Sequence, residues 1–216
     1  MKPVIIERSC LVPLLLSAQE EYYKEVYGFL IGRDTHRKID GEIVPVAAIE
    51  ATYHLMTSER KPSQADIVKD RAFYRIINSL KAMGIDLRSG SGQSRTKILG
   101  AYHSHPDPDG NTVINSTDTD FDVEVLGKIR RGGQYEPADF WLDMIMHVSR
   151  RDYRKNHEPN NSKRDYPRKI GNILRFGYDG YEITTAGYWL RVHDLDTDSV
   201  RVEEAVLYAP WHLMKK

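Results

Sequence analysis

Ile98-Leu99-Gly100-Ala101-Tyr102-His103-Ser104-His105-Pro106 is an apolar run that ends in two histidines one residue apart. Side chains in a strand alternate between faces, so His103 and His105 point the same way. A strand end of this kind offers two imidazoles to one ion. Imidazole nitrogen combined with a carboxylate oxygen suits zinc, and a catalytic zinc typically keeps three protein ligands and leaves the fourth position to water. The next requirement is an acid close downstream.

Asn115-Ser116-Thr117-Asp118-Thr119-Asp120 reads as the opening of a helix. Thr117 and Asp120 form an S/T-x-x-D/E capping pair, and Phe121, Val125, Leu126 and Ile129 give the apolar stripe that follows. A carboxylate in the first turn is held in place and favoured as an anion by the backbone dipoles. Asp120 is therefore the expected third ligand, with Asp118 as the alternative. A hydrolytic metal site also needs a group to take and return a proton. Glu25 is the candidate: it precedes Val26-Tyr27-Gly28-Phe29-Leu30-Ile31-Gly32, a compact apolar run, where an ionisable side chain is placed for a perturbed pKa.

Glu25 with Tyr27 to Gly32, then His103-Ser104-His105-Pro106, then a Ser/Thr three residues before an Asp, together resemble the signature of the JAMM (MPN-plus) zinc metalloproteases. The resemblance spans roughly Val4 to Val148. It implies an α/β (α+β) fold: a mixed, curved, cytidine-deaminase-like sheet with flanking helices and here a strand-rich C-terminal extension. It also implies zinc on His103, His105 and Asp120, Glu25 as proton carrier, and Thr117 as the hydroxyl that helps stabilise the oxyanion. Ser104 would buttress the loop and Pro106 would fix its turn. The spacer after His105 is longer than in the family's common form, so the family's Ser falls on Thr117 if Asp120 is the ligand and on Asn115 if Asp118 is. Asp120 is preferred because Thr117 keeps the hydroxyl.

The substrate implied is the C-terminal tail of a ubiquitin-like protein or similar carrier, released by isopeptidase or peptidase cleavage. Such a tail pairs along a strand edge, and Tyr53 to Pro62 is the segment expected to flank that groove. A partner subunit that orders the site is a further implication. The competing class is a metal-free MPN-type scaffold, which would be expected to lack one of the four site positions; here all four can be filled. His103-x-His105-x-Asp107 also matches the start of a metallo-β-lactamase pattern, but Pro108 stands where that pattern needs a His.

Composition sets outer bounds. The 216 residues carry 31 Lys plus Arg and 31 Asp plus Glu, which gives no bulk electrostatic case for nucleic acid or an anionic membrane as partner. Cys10 is the single cysteine, so there is no intrachain disulfide. The start lacks a secretory signal and no run reaches the length of a membrane span, so the expected location is the cytoplasm. Residues 1–150 are read as the catalytic domain, 151–169 as a polar loop or insertion, and 170–216 as strands completing the same domain. Within the first part, helices are expected over 11–23, with Pro13 in the first turn, and over 65–83, stopped by Gly84. Gly32 is expected to end the Glu25 strand, Asp40-Gly41 to turn a hairpin, and Phe140 to Val148 to form a strand.

Overall fold

The structure, a computed structural model, describes residues 1–20, 25–54, 78–84, 96–106, 111–131, 140–150, 168–170, 172–178, 181–191 and 200–209. Its elements in chain order are β1 (Val4–Ile6), α1 (Arg8–Glu20), β2 (Tyr27–Ile39), β3 (Glu42–His54), β4 (Lys97–Pro106), α2 (Ser116–Arg131), β5 (Trp141–Arg150), β6 (Arg168–Ile170), β7 (Ile173–Tyr178), β8 (Tyr181–Arg191), β9 (Arg201–Ala205) and β10 (Leu207–Tyr208). All ten strands among the described residues belong to one sheet, ordered β10-β1-β3-β2-β4-β5-β8-β7-β6, with β9 beside β8.

This arrangement corrects the expected fold class. Among the described residues strand outweighs helix by more than two to one, and the sheet comes close to closing on itself, so the chain is not an α/β MPN fold with flanking helices. Closure comes from the last strands. β9 pairs with the second half of β8 (Gly187↔Ala205 to Arg191↔Arg201), and one residue later β10 pairs in parallel with β1 (Val4↔Leu207). One short segment thereby bridges the two sides of the sheet, and the Trp189 indole N–H adds a strut to the Lys2 carbonyl at 3.1 Å.

The excess of strand has a second source in the β2–β3 hairpin, where each strand runs thirteen residues. Gly32, expected to end its strand, lies inside it. A Cβ there would stand 1.9 Å from the Ala48 carbonyl oxygen, beside the bulge at Ile31/Gly32, so this glycine marks a close backbone approach and not a stop. The turn itself is as the sequence reads: Asp40 and Gly41 have φ of 49° and 95°, the pair of positive values that a type I′ hairpin turn requires.

Two cores lie on opposite faces of the sheet. One packs Cys10, Leu11, Leu14 and Ala18 of α1 against Leu30, Tyr102, Leu142, Met144 and Trp189. The other packs Val123, Val125 and Leu126 of α2 against Tyr27, Phe29, Ala101, Trp141, Ile145 and Tyr188. α1 starts three residues before its expected position, because the Glu7 carbonyl already accepts the N–H groups of Cys10 and Leu11 (both 3.0 Å), so Pro13 falls beyond the first turn. Of the helix read over 65–83, residues 55–77 lie outside the described residues. Residues 78–82 are helical and end at Gly84 with φ of 76°, as the stop signal implies. The polar stretch 151–167 is likewise outside the described residues, while β6 to β10 join the same sheet as β1 to β5. No described helix is long and apolar enough to cross a membrane.

Candidate metal centre

β4 places the two histidines on the α2 side of the sheet. It is held between β2, antiparallel with Tyr27↔His103, and β5, parallel with His103↔Ile145 and His105↔His147. Gly100 allows this close packing, since a Cβ there would lie 1.8 Å from the Leu142 carbonyl oxygen. The imidazole Nε2 atoms of His103 and His105 converge to 3.2 Å.

The third group is Asp118. Its Oδ1 lies 3.4 Å from His103 Nε2 and 3.6 Å from His105 Nε2. These three side chains could hold a metal ion. Asp120, the expected ligand, is exposed on α2 and does not join them, and Thr117 is exposed as well. The reason is where the helix begins. Asn115 is its cap: Asn115 Oδ1 accepts the N–H groups of Thr117 (2.8 Å) and Asp118 (3.1 Å), while the Asn115 N–H donates back to Asp118 Oδ2 at 2.9 Å. This is a capping box built from Asn and Asp, three residues apart. Asp118 thus gives one oxygen to the cap and turns the other toward the histidines, whereas Asp120 is rotated by about 200° around the helix. The position three residues before the ligand is then Asn115, which carries no hydroxyl.

The outer ring nitrogens fix which lone pairs are offered. His105 Nδ1 stands 2.8 Å from the Asn111 carbonyl oxygen, an acceptor only, so Nδ1 carries the proton there. His103 Nδ1 stands 3.2 Å from Asp143 Oδ1, and by the same reasoning donates to that carboxylate. With their Nδ1 atoms engaged in this way, both rings turn Nε2 toward each other and toward a carboxylate oxygen. Three electron-rich atoms at such separations repel unless a cation joins them; a proton can bridge two, a metal ion all three.

Glu25 reaches the site through backbone pairing. Ser104 N–H donates to the Val26 carbonyl and Val26 N–H donates to Ser104 Oγ, both at 2.9 Å. Continuing the Tyr27↔His103 register through this pair sets partly buried Glu25 opposite His105, on the face that carries both histidines. Ser104 is therefore the tether between the Glu25 segment and the histidine strand.

Sequence reasoning missed two acids. Asp143, in the middle of β5, and Asp122, one helical turn after Asp118, are both fully buried. Neither oxygen of Asp122 makes a hydrogen bond among the described residues; the Trp141 indole N–H faces it without closing to hydrogen-bond geometry. Burial, then the neighbouring Asp143, pushes the Asp122 pKa well above the carboxylate range. Burial disfavours a charged His103, but Asp143 and Asp118 outweigh it and hold its pKa well above the ordinary histidine range. Burial would raise Asp118, yet hydrogen bonds to His103 and His105 prevail and lower it. The signal for Asp143 was present in Trp141-Leu142-Asp143-Met144-Ile145-Met146, a lone charge in a strand otherwise fit for full burial.

No family model and no curated protein matches this chain. Among solved structures it is similar to the solution structure of a Desulfitobacterium hafniense protein from a structural genomics programme, with a TM-score of 0.46, 15% identity and 99% of each chain covered. That likeness is too weak to inform the function.

Proposed function

We propose that this chain is a zinc-dependent amide hydrolase, with His103, His105 and Asp118 holding the metal and Glu25 carrying the proton. One observation carries the reading: the three ligand atoms lie 3.2, 3.4 and 3.6 Å apart. Tetrahedral zinc with bonds of about 2.0–2.1 Å separates its ligands by about 3.3–3.4 Å, so these residues fit the ion without rearrangement. Bound there, zinc would supply an acidified water and a Lewis acid for the scissile carbonyl. The chain's own residues do the rest. Asn111 and Asp143 hold the outer nitrogens of the two imidazoles, Ser104 fixes the Glu25 segment, and the Glu25 carboxylate takes a proton and returns it to the departing amine.

The substrate class rests on the resemblance of Glu25, His103-Ser104-His105-Pro106 and a following Asp to the JAMM metalloproteases. On that basis the substrate is the extended C-terminal tail of a ubiquitin-like protein or similar carrier. The test is zinc content and hydrolysis of such fusions by the wild type and by Glu25→Gln. Stoichiometric zinc in both proteins and hydrolysis in the wild type alone is the expected result. Zinc in both without hydrolysis in either would turn the reading toward a binding scaffold, and wild-type protein that takes up no zinc would end it.

A further inference from the structure

We propose that Asp143 is a positioning residue that fixes the orientation and tautomer of His103 for metal binding; this rests on the metal reading above. Asp143 sits at the centre of β5 with no exposed surface, between Leu142 and Met144, which are buried too. A carboxylate in such a place is unfavourable unless a partner repays its lost hydration. Its one hydrogen bond among the described residues is Oδ1 to His103 Nδ1 at 3.2 Å, and Oδ2 has none. As a structural ion pair this is a poor arrangement, because one of the two carboxylate oxygens is left unsatisfied.

As support for a metal ligand the same arrangement makes sense. Asp143 pairs with Ala101 across the parallel β4–β5 ladder, one alternate residue before His103, and so approaches the imidazole from the core side. Accepting the Nδ1 proton leaves the Nε2 lone pair directed at Asp118 and His105. It also makes His103 a stronger donor than an imidazole bound to a neutral carbonyl, the environment that Asn111 gives His105. The two histidines are thus supported unequally: the His103 arm is charge-assisted and anchored in the sheet, the His105 arm is held by a loop.

The experiment is a competitive zinc titration of the full chain, wild type, Asp143→Asn and Asp143→Leu, paired with thermal melts in excess EDTA. Loss of such an outer-shell carboxylate weakens metal binding about 10–100-fold. The expected result is a loss of that size in Asp143→Asn and a larger one in Asp143→Leu, with cooperative melting in EDTA showing that both variants fold. Unchanged zinc affinity in both variants overturns the proposal. Wild-type protein that binds no zinc overturns the metal reading and this one with it, which separates the two failures. Should neither variant fold, nitrogen NMR of the zinc-loaded wild type decides: a protonated Nδ1 on His103 supports the assignment, and a protonated Nε2 refutes it.

Discussion

Replacing Asp118 and Asp120 in parallel separates the two possible ligand sets. Asp118 Oδ1 completes a triangle with sides of 3.2, 3.4 and 3.6 Å, and Asp120 is exposed on another side of the helix. At free zinc a thousandfold above the wild-type Kd, binding stabilises the fold by about 4.1 kcal/mol. For a chain of this size that is about 8–16 °C in Tm. Asp118→Ala leaves two imidazoles; a thousandfold loss of affinity would shrink the gain at the same zinc to about 0.4 kcal/mol, or roughly 1–2 °C. The substitution also removes the 2.9 Å bond from the Asn115 N–H, which costs about 1 kcal/mol at an exposed helix start whether or not metal is present. The assay is therefore the difference in Tm between saturating zinc and EDTA within each protein, so that the capping loss cancels. Asp120→Ala should keep the full zinc-induced shift. A shift retained by Asp118→Ala and lost by Asp120→Ala would refute the assignment.

Three further outcomes are expected. Ser104→Ala leaves the buried Val26 N–H without its acceptor and should cost about 1–3 kcal/mol in urea unfolding, with hydrolysis falling more than zinc content because the Glu25 segment loses its tether. Gly100→Ala sets a Cβ 1.8 Å from the Leu142 carbonyl oxygen; β4 and β5 must part, and the loss should reach at least about 3 kcal/mol or prevent folding, read by circular dichroism. In EDTA, stability should decline on both sides of a middle range. The raised His103 pKa contributes stability that is full below its ordinary value of 6.5 and lost as pH rises through the raised value. The lowered Asp118 pKa contributes stability present above 3.8 and lost as pH falls below it. Added zinc should reverse the alkaline decline, since metal competes with the proton for His103; a flat profile in EDTA would contradict both shifts.

Much of the site was legible in the chain because its parts are local. Two histidines at i and i+2 in an apolar strand must share a face, and Asp40-Gly41 can turn a hairpin with no help from distant residues. The expectation of Asp120 also rested on local signals. Asn115 caps a helix as well as Ser or Thr does, and Asn115-Ser116-Thr117-Asp118 is a capping pair at the same spacing as Thr117 to Asp120. The partly buried Phe121 suggested that the inward face starts there, whereas Asp122, one residue later, is already fully buried beside Val123, Val125 and Leu126. The fold class was not local. Nothing near Arg201 to Tyr208 says that this segment leaves β8 to lie along β1, and a bulge glycine such as Gly32 reads like a strand end until its neighbour Ala48 is in place. Asp143 was hidden for a related reason, since its partner His103 lies forty residues away.

The bridge from β8 to β1 also bears on the order in which the molecule can assemble. Val4 meets Leu207, so the sheet cannot close until nearly all of the described chain has been synthesised. Contacts of such sequence separation slow folding, because the chain entropy of a long loop is lost before the contact repays it. On the ribosome, at about 5–20 residues per second, β1 waits ten seconds or more for this neighbour. Both histidines and Asp118 emerge well before that, as do β4 and β5. Under the proposed function, the three residues that would hold the metal are thus available to it before the sheet has closed, and zinc supply during synthesis would then bias folding yield.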